Sequence, residues 1–577
     1  MAERPKSDPA RQAGAETSAL VGIYRRLVSV EARKAISRHT SPAVRNRVKK
    51  QMARTAAVAK PVAQRRTKAA AVLPDLSPLR ARNANLAAVC EALDSAGVGY
   101  FCVRGRWDRS ASVAVAAEQR DAAQAALREY CAARPGYVSD MTGVDSPAQL
   151  PTRSEPAADA GSWAALKQAG TVRLTWYHTD ASGLLTLGIP YGCDVEFWTR
   201  DGDRLVAPRP NLAAEQVAAD AGELADFTAS DSLLTGLVRD GDPRCAQVRT
   251  RPEFVVRRPD DVDFPIDVVY TWVDGLDPVW LRRRAEAAGE AYHEEAASAA
   301  RFISRDELRY SLRSVHQNLP WVRHVYLVTD GQTPPWLDAS APGLTVVDHK
   351  EIFGDPQLLP TFNSHAIESQ LHHIEGLSEH FVYLNDDVFL GSEAGPELFF
   401  LANGIARFFP SPSLVPHGAP RAQDGPVSVA AMNNRVVLER RFGRVLTQKF
   451  KHAPHALRRS VLADIEAEFA AEHRRTAANR FRGLDDLSIA SSLHHYHAFH
   501  TGRAVPGQLR YAYADLSHPD TATRLAKLLA TRDRQAFCIN DTVSTEADVE
   551  AQVAVLEPFL RAYFPVPSPY EKAGDAR

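Results

Sequence analysis

Three short apolar segments in the second half of the chain each run straight into acidic residues, and this pairing limits the fold more than any other feature. Ile266–Thr271 leads to Trp272-Val273-Asp274-Gly275, His324–Thr329 to Asp330-Gly331, and His380–Leu384 to Asn385-Asp386-Asp387. Segments with helical apolar spacing, Arg305–Asn318 and His365–Leu377, lie between them. Strand and helix in alternation predict a parallel sheet covered by helices. Such sheets bind ligands beyond the carboxyl ends of their strands. Acids from three strand ends are therefore expected to face one crevice.

A chain of 577 residues is longer than one core requires, so several units are expected. The segment from 85 to 250 reads as an accessory α/β domain, and its sequence assigns it no role. In it, Asn85–Ala96 and Ala114–Tyr130 have helical character, and Val98–Val103, Thr171–Trp176, Leu184–Gly188 and Val195–Trp198 are strand-like. Asp194 and Glu196 alternate on one strand face, a pattern that suits a metal but reads more simply as two exposed charges on an edge strand. A basic, Pro-containing linker, Arg249–Pro259, leads to a further domain, placed at 260–570, that holds the strand-end acids.

The net charge of −1 conceals an asymmetry. Residues 1–80 carry 18 Lys and Arg against five Asp and Glu, a surplus of 13, so the remainder carries −14. A solvated, partly helical arm is the simpler account of this segment. Its functional counterpart is contact with an anionic polymer or, peripherally, with anionic lipid at the inner face of the membrane, the latter at about 1 kcal/mol per basic residue. No aromatic interleaving supports a nucleic-acid partner. No apolar run approaches the ~20 residues that span a bilayer, and the N-terminus lacks the apolar core of a secretory signal. The six cysteines form no C-x-x-C pair. A cytoplasmic location without a disulfide framework is the expectation.

Several clusters carry chemistry. The Asn385-Asp386-Asp387 run offers hard oxygen ligands for Mg²⁺ or Mn²⁺, or else an Asx turn closing a strand. Asp274 is either a turn residue or a ligand for ribose or metal, and Trp272 either a core residue or a platform for a base. Arg305, Arg309 and Arg313 recur at helical spacing, able to grip a diphosphate or to form a solvated face. In His452-Ala453-Pro454-His455 the proline is expected to set two imidazoles near a helix start, where one serves as general base or metal ligand. Arg482-Gly483-Leu484-Asp485-Asp486 offers a cation for a migrating phosphoryl group beside two acids. The group His494, His495, His497 and His500 lacks a matching acid or cysteine motif and reads as structural.

Taken in order, these motifs resemble the Stealth family, the bacterial capsule and exopolysaccharide phosphotransferases together with the lysosomal-enzyme GlcNAc-1-phosphotransferase. The resemblance covers roughly 265–570 in four blocks. They are Ile266 through Gly275; Arg305 through Ser314 with Leu359–Ser364, Ala366–Ser369 and Asn385-Asp386-Asp387; His452–His455 with Arg482–Asp486; and Phe537-Cys538-Ile539-Asn540-Asp541. It implies a Rossmann-like, glycosyltransferase-type sheet, a divalent metal, and transfer of a hexose 1-phosphate from a nucleotide sugar such as UDP-GlcNAc to a hydroxyl of an oligosaccharide or polysaccharide acceptor. By motif match it implies Glu368, Asp387, His452 and Arg482 as the catalytic set, with His452 or Glu368 taking the acceptor proton. Asp386, Asp387 and Asp541 are the expected metal ligands. Trp272, Asp274, Arg305, Arg309, Asp330, Asn385, Asp485, Asp486 and Asn540 are the expected substrate contacts. The alternatives are a metal-dependent glycosyltransferase that releases UDP and a non-catalytic polysaccharide-binding protein, which would need no three-point acidic crevice. An acidic crevice repels a nucleotide sugar unless a divalent cation sits in it, so the charge distribution also favours a metal.

Overall fold

The computed structural model describes residues 68–146, 149–220, 227–289, 304–421, 423–541 and 546–574. The basic arm, up to residue 67, lies outside the described residues. Among these residues no helix is long and apolar enough to cross a membrane, and all six cysteines are free.

The N-terminal unit begins with α1 (Pro78–Ser95), which starts where Pro78 follows the capping hydroxyl of Ser77. It continues through β1 (Tyr100–Val103), β2 (Ala111–Ala116), α2 (Arg120–Ala133), β3 (Tyr137–Asp140), β4 (Thr171–Thr175) and β5 (Cys193–Asp201). The helix expected from Ala114 begins only at Arg120. The preceding Ala111–Ala116 segment is a strand held between β1 and β5, where its valines pack on both neighbours and override the helical preference of its alanines. Of Leu184–Gly188 only Thr186 and Leu187 form a strand. β5 pairs with β2 on one side and with β4 on the other, so it is central rather than an edge. Asp194 and Glu196 are accordingly fully buried, not exposed. Arg173 grips both oxygens of Asp194 at 2.6 and 2.9 Å, and Arg209 bridges Asp194 and Glu196 at 2.7 and 2.9 Å. The pair is a neutralised polar centre of the core.

The second unit is built on β6 (Ile266–Thr271), followed by α3 (Glu307–Asn318), β7 (Val325–Thr329), β8 (Leu344–Asp348), α4 (Ser364–Glu368), β9 (His380–Asn385) and β10 (Val388–Leu390). Beyond these lie β11 (His455–Arg458), α5 (Arg459–Glu468), α6 (Ala470–Ala478), α7 (His494–His500), β12 (Tyr511–Asp515), β13 (Ala536–Asn540) and α8 (Glu546–Tyr563). The main sheet runs β8-β7-β6-β9-β11. Its first four strands are parallel, with the earliest strand in the middle, and β11 is antiparallel to β9. This is the Rossmann-like α/β sheet expected, with its topological switch point between β6 and β9. A second sheet, β10-β13-β12, lies beside the carboxyl end of β9. The helix expected over 365–377 is only α4 plus the 3₁₀ turn Leu371–His373, because the Ser369 hydroxyl bonds back to the Ala366 carbonyl and Gly376 takes a left-handed turn. His452-Ala453-Pro454-His455 leads into strand β11, not into a helix.

The arginines of α3 are engaged within the fold. Arg309 Nε and Arg313 Nη2 both reach Glu571 Oε2 at 2.7 Å, and Arg313 Nε reaches Oε1 at 2.7 Å. All three groups are almost fully buried. Removing the acid would take the counter-charge from the buried Arg313 and one partner from Arg309. Glu571→Gln is expected to cost about 3–5 kcal/mol of stability, read as a lower urea midpoint with an unchanged slope.

Candidate active site

The crevice is assembled by strand direction. In β9, Tyr383 faces His455 of β11 and Asn385 faces Thr271 of β6. Because β11 runs opposite to β9, the residues that enter β11 arrive where β9 ends. His452 Nε2 thus lies 3.0 Å from Asp387 Oδ1. β13 runs antiparallel to β10 and delivers two more side chains to the other oxygen. Asn540 Nδ2 donates to Asp387 Oδ2 at 3.0 Å, and the Cys538 thiol donates to it at 3.3 Å. The Tyr511 hydroxyl holds the His452 carbonyl.

Like charges crowd this end of the sheet. Burial, then Asp387 and Glu307, push the half-buried Asp386 well above the usual carboxylate range. Burial also raises Glu307, against the pull of nearby backbone N–H groups and Arg305, with Asp387 adding to the rise. For His452, burial opposes the charged ring, but Asp387, then Glu368 and Asp386, outweigh it and hold its pKa above the ordinary imidazole value. The Cys538 thiol is pushed up by burial and by Asp387.

Glu368 closes α4 and is buried. Its Oε2 accepts from Ser491 Oγ at 2.8 Å and its Oε1 from the Tyr383 hydroxyl at 3.4 Å, while Tyr383 and Thr271 share a hydrogen bond at 2.9 Å. Arg482 is exposed and donates to Ser364 Oγ at 3.0 Å. The loop that carries it is organised by Asp486, which accepts from Gly483 N at 3.0 Å, Asn363 Nδ2 at 3.0 Å and Asn479 Nδ2 at 2.7 Å. Asn363 also caps the start of α4, so the Arg482 loop and the Glu368 helix share one anchor.

The other residues expected at the site are placed as follows. Arg305 pairs with Asp541 at 2.8 Å and with Glu307 at 3.5 Å. Asp330 pairs with Arg283 at 3.0 Å. Asp274 accepts from the Leu276 N–H at 2.9 Å, and its own N–H donates to Gln332. Trp272 is buried, with its indole nitrogen unpartnered among the described residues. Asp485 is exposed and accepts from Asn479 at 2.8 Å. Arg309, on α3, is held by Glu571. Glu307, Cys538 and Ser491 were not singled out from sequence. Glu307 stands inside the Arg305–Ser314 block and Cys538 inside the last block, but nothing in their residue types marks them apart from ordinary helix and strand residues.

Donor atoms of Asp387, His452 and Cys538 lie within 4.8 Å of one another. Asp386 and Glu307 crowd Asp387, and these oxygen donors fit a divalent cation, which would relieve the repulsion that the acids impose on one another.

Four Stealth conserved regions match the chain: region 1 over 264–291, region 2 over 301–408, region 3 over 451–499 and region 4 over 526–577. The exopolysaccharide phosphotransferase SCO2594 of Streptomyces coelicolor is 48% identical over 97% of this chain and 99% of its own length. The chain belongs to the Stealth family. A more distant Stealth relative, the exopolysaccharide phosphotransferase CpsY of Mycobacterium tuberculosis H37Rv, is 34% identical over 89% of this chain and 92% of its own. The near-complete coverage by SCO2594 means that the N-terminal unit is shared too, beyond the four matched regions. Among solved structures, the galactosyltransferase LgtC in complex with donor and acceptor sugar analogs is 10% identical over 52% of this chain and 96% of its own, with a TM-score of 0.26.

The Asp486 anchor can be tested. Burial raises its pKa, but the hydrogen bonds from His365, Asn479 and Gly483 outweigh this and hold it below the usual carboxylate value. Its contribution to stability is therefore full above the unfolded pKa of about 3.9 and is lost as pH falls through the lower folded value. Asp486→Asn is expected to lower kcat about 10–100-fold by displacing Arg482. It should also remove the part of the acid-unfolding profile that lies below the ordinary carboxylate range, followed by circular dichroism.

Proposed function

We propose that this Stealth protein transfers a sugar 1-phosphate from a nucleotide sugar to a hydroxyl of a polysaccharide or oligosaccharide acceptor in exopolysaccharide synthesis. Its relatives that share nearly the whole chain bear the name exopolysaccharide phosphotransferase. The observation that carries the reading is the Asp387–His452 pair at the switch point of the sheet, with Glu368 behind it and Arg482 at the rim.

Of the two groups able to take the acceptor proton, accessibility favours His452. Its side chain is 35% exposed, whereas Glu368 is 4% exposed and both its oxygens already accept hydrogen bonds. His452 takes the proton from the acceptor hydroxyl, and Asp387 stabilises the imidazolium that results. The acceptor oxygen bonds to the phosphorus that bears the sugar. The bond from that phosphorus to the bridging oxygen breaks, and the electron pair leaves with the nucleoside monophosphate. Arg482 meets the oxygens of the migrating phosphoryl group. Magnesium or manganese, held by Asp387 and Asp386, would supply neutralisation of the diphosphate charge. The basic surplus of residues 1–80 supports peripheral contact with anionic lipid, which would bring the enzyme to a membrane-associated acceptor.

With UDP-GlcNAc as the first donor tried, an oligosaccharide acceptor and Mg²⁺, the expected products are UMP and a phosphodiester-linked saccharide, separated by chromatography and detected by ³¹P NMR. Release of UDP alone would assign a glycosyltransferase instead. Asp387→Asn changes charge at nearly constant volume and should abolish turnover while the protein keeps its circular dichroism. His452→Ala is expected to lower kcat about 10²–10⁴-fold with a smaller change in KM, measured from initial rates. An unchanged rate would move the proton to Glu368.

A further inference from the structure

Away from the crevice, three imidazoles gather on one carboxylate. His372 and His373 belong to the 3₁₀ turn that follows α4, Glu466 to α5 and His473 to α6. Glu466 Oε2 lies 2.6 Å from His372 Nε2 and 3.0 Å from His373 Nε2, and its Oε1 lies 3.8 Å from His473 Nδ1. Donor atoms of His372, His373 and Glu466 all fall within 4.8 Å of one another. Donors set around zinc at about 2.0–2.1 Å stand roughly 3.3 Å apart, close to the 2.6 and 3.0 Å that separate Glu466 Oε2 from the two imidazoles of the turn.

The outer nitrogens fix how two of the rings are used. His373 Nδ1 is 2.9 Å from the Ile352 carbonyl, and His473 Nε2 is 3.0 Å from the Ser369 carbonyl. A carbonyl oxygen only accepts, so each of these nitrogens carries a proton, and in the neutral ring the opposite nitrogen turns a lone pair toward Glu466. Lone pairs aimed at a carboxylate repel it unless positive charge, a proton or a metal ion, lies between them. An outer N–H on a backbone carbonyl is also the arrangement that orients metal-binding histidines. His372 Nδ1 is buried and unpartnered among the described residues, so that ring is fixed through its Glu466-facing nitrogen alone.

We propose that His372, His373 and Glu466 hold a zinc ion. Two imidazole nitrogens and one carboxylate oxygen suit zinc and not the hard, all-oxygen preference of magnesium. The ion ties the turn that leaves the Glu368 helix to α5, while His473 of α6 stays on the second oxygen of Glu466. His373 and Glu466, at 35% and 38% exposure, provide its entry.

The test uses the full chain, stripped with EDTA and dialysed against zinc or cobalt, with metal content measured by mass spectrometry. Wild-type protein is expected to retain one equivalent of zinc more than either Glu466→Gln or His373→Asn. Comparison with these variants leaves any metal in the crevice out of the difference. With cobalt, the intense visible absorption of a tetrahedral site should appear in the wild type and be lost in both variants. Zinc should raise the thermal midpoint of the wild type and leave theirs unchanged. If Glu466→Gln fails to fold, His373→Asn, at a partly exposed position, still decides the matter. Equal zinc content in wild type and folded variants, or none in wild type, would overturn the proposal and assign the cluster to protonated histidines.

Discussion

Asp387 sits where two sheets meet, and its carboxylate is shared between them. One oxygen is held by a histidine delivered from the antiparallel edge of the main sheet, and the other by an amide and a thiol delivered from the second sheet. Asp386 and Glu307 press on the same place, with burial raising both. A stability-optimised fold would not gather acids of this kind at a half-buried strand end. The rest of the domain can be understood as the scaffold that holds them there. α3 carries Glu307 and is itself clamped by Glu571, while α4 carries Glu368 and shares its Asn363 cap with the Arg482 loop.

Positive charge is distributed to match. Arg305 is committed to Asp541 and Glu307, Arg309 and Arg313 to Glu571, and Arg283 to Asp330. These arginines serve other acids, and among the described residues none of them forms an ion pair with Asp386 or Asp387. The same economy appears in the N-terminal unit, where Arg173 and Arg209 neutralise Asp194 and Glu196 in the middle of a sheet. In both units several buried acids are matched by arginines, whereas Asp386 and Asp387 meet none in an ion pair among the described residues.

Much of the second unit was legible in the sequence because its strands are short, apolar and ended by acids, a signal that survives without any tertiary information. The first unit was harder. Ala111–Ala116 has a composition that suits either a helix or a strand, and only pairing with β1 and β5 decides it. Asp194 and Glu196 look exposed in a linear pattern because Arg173 and Arg209, which make their burial affordable, lie 21 and 15 residues from Asp194. In the site, Asp387 and His452 could be named from motifs. Glu307 and Cys538 could not, since a helix-start glutamate and a strand cysteine are ordinary until the fold turns them toward Asp387. The role of Arg309 is likewise invisible in sequence, because its partner Glu571 lies 262 residues away.

That separation has a consequence in time. A ribosome adding roughly 5–20 residues per second takes about 13–50 s to travel from Arg309 to Glu571. Throughout that interval α3 carries two arginines without the carboxylate that binds them both. The clamp on the helix that brings Glu307 to the crevice therefore closes only near the end of the synthesis of this domain. Until Glu571 emerges, the nascent chain presents a cationic, half-assembled face, which is a natural target for chaperones and an early point of failure for translation that stops short.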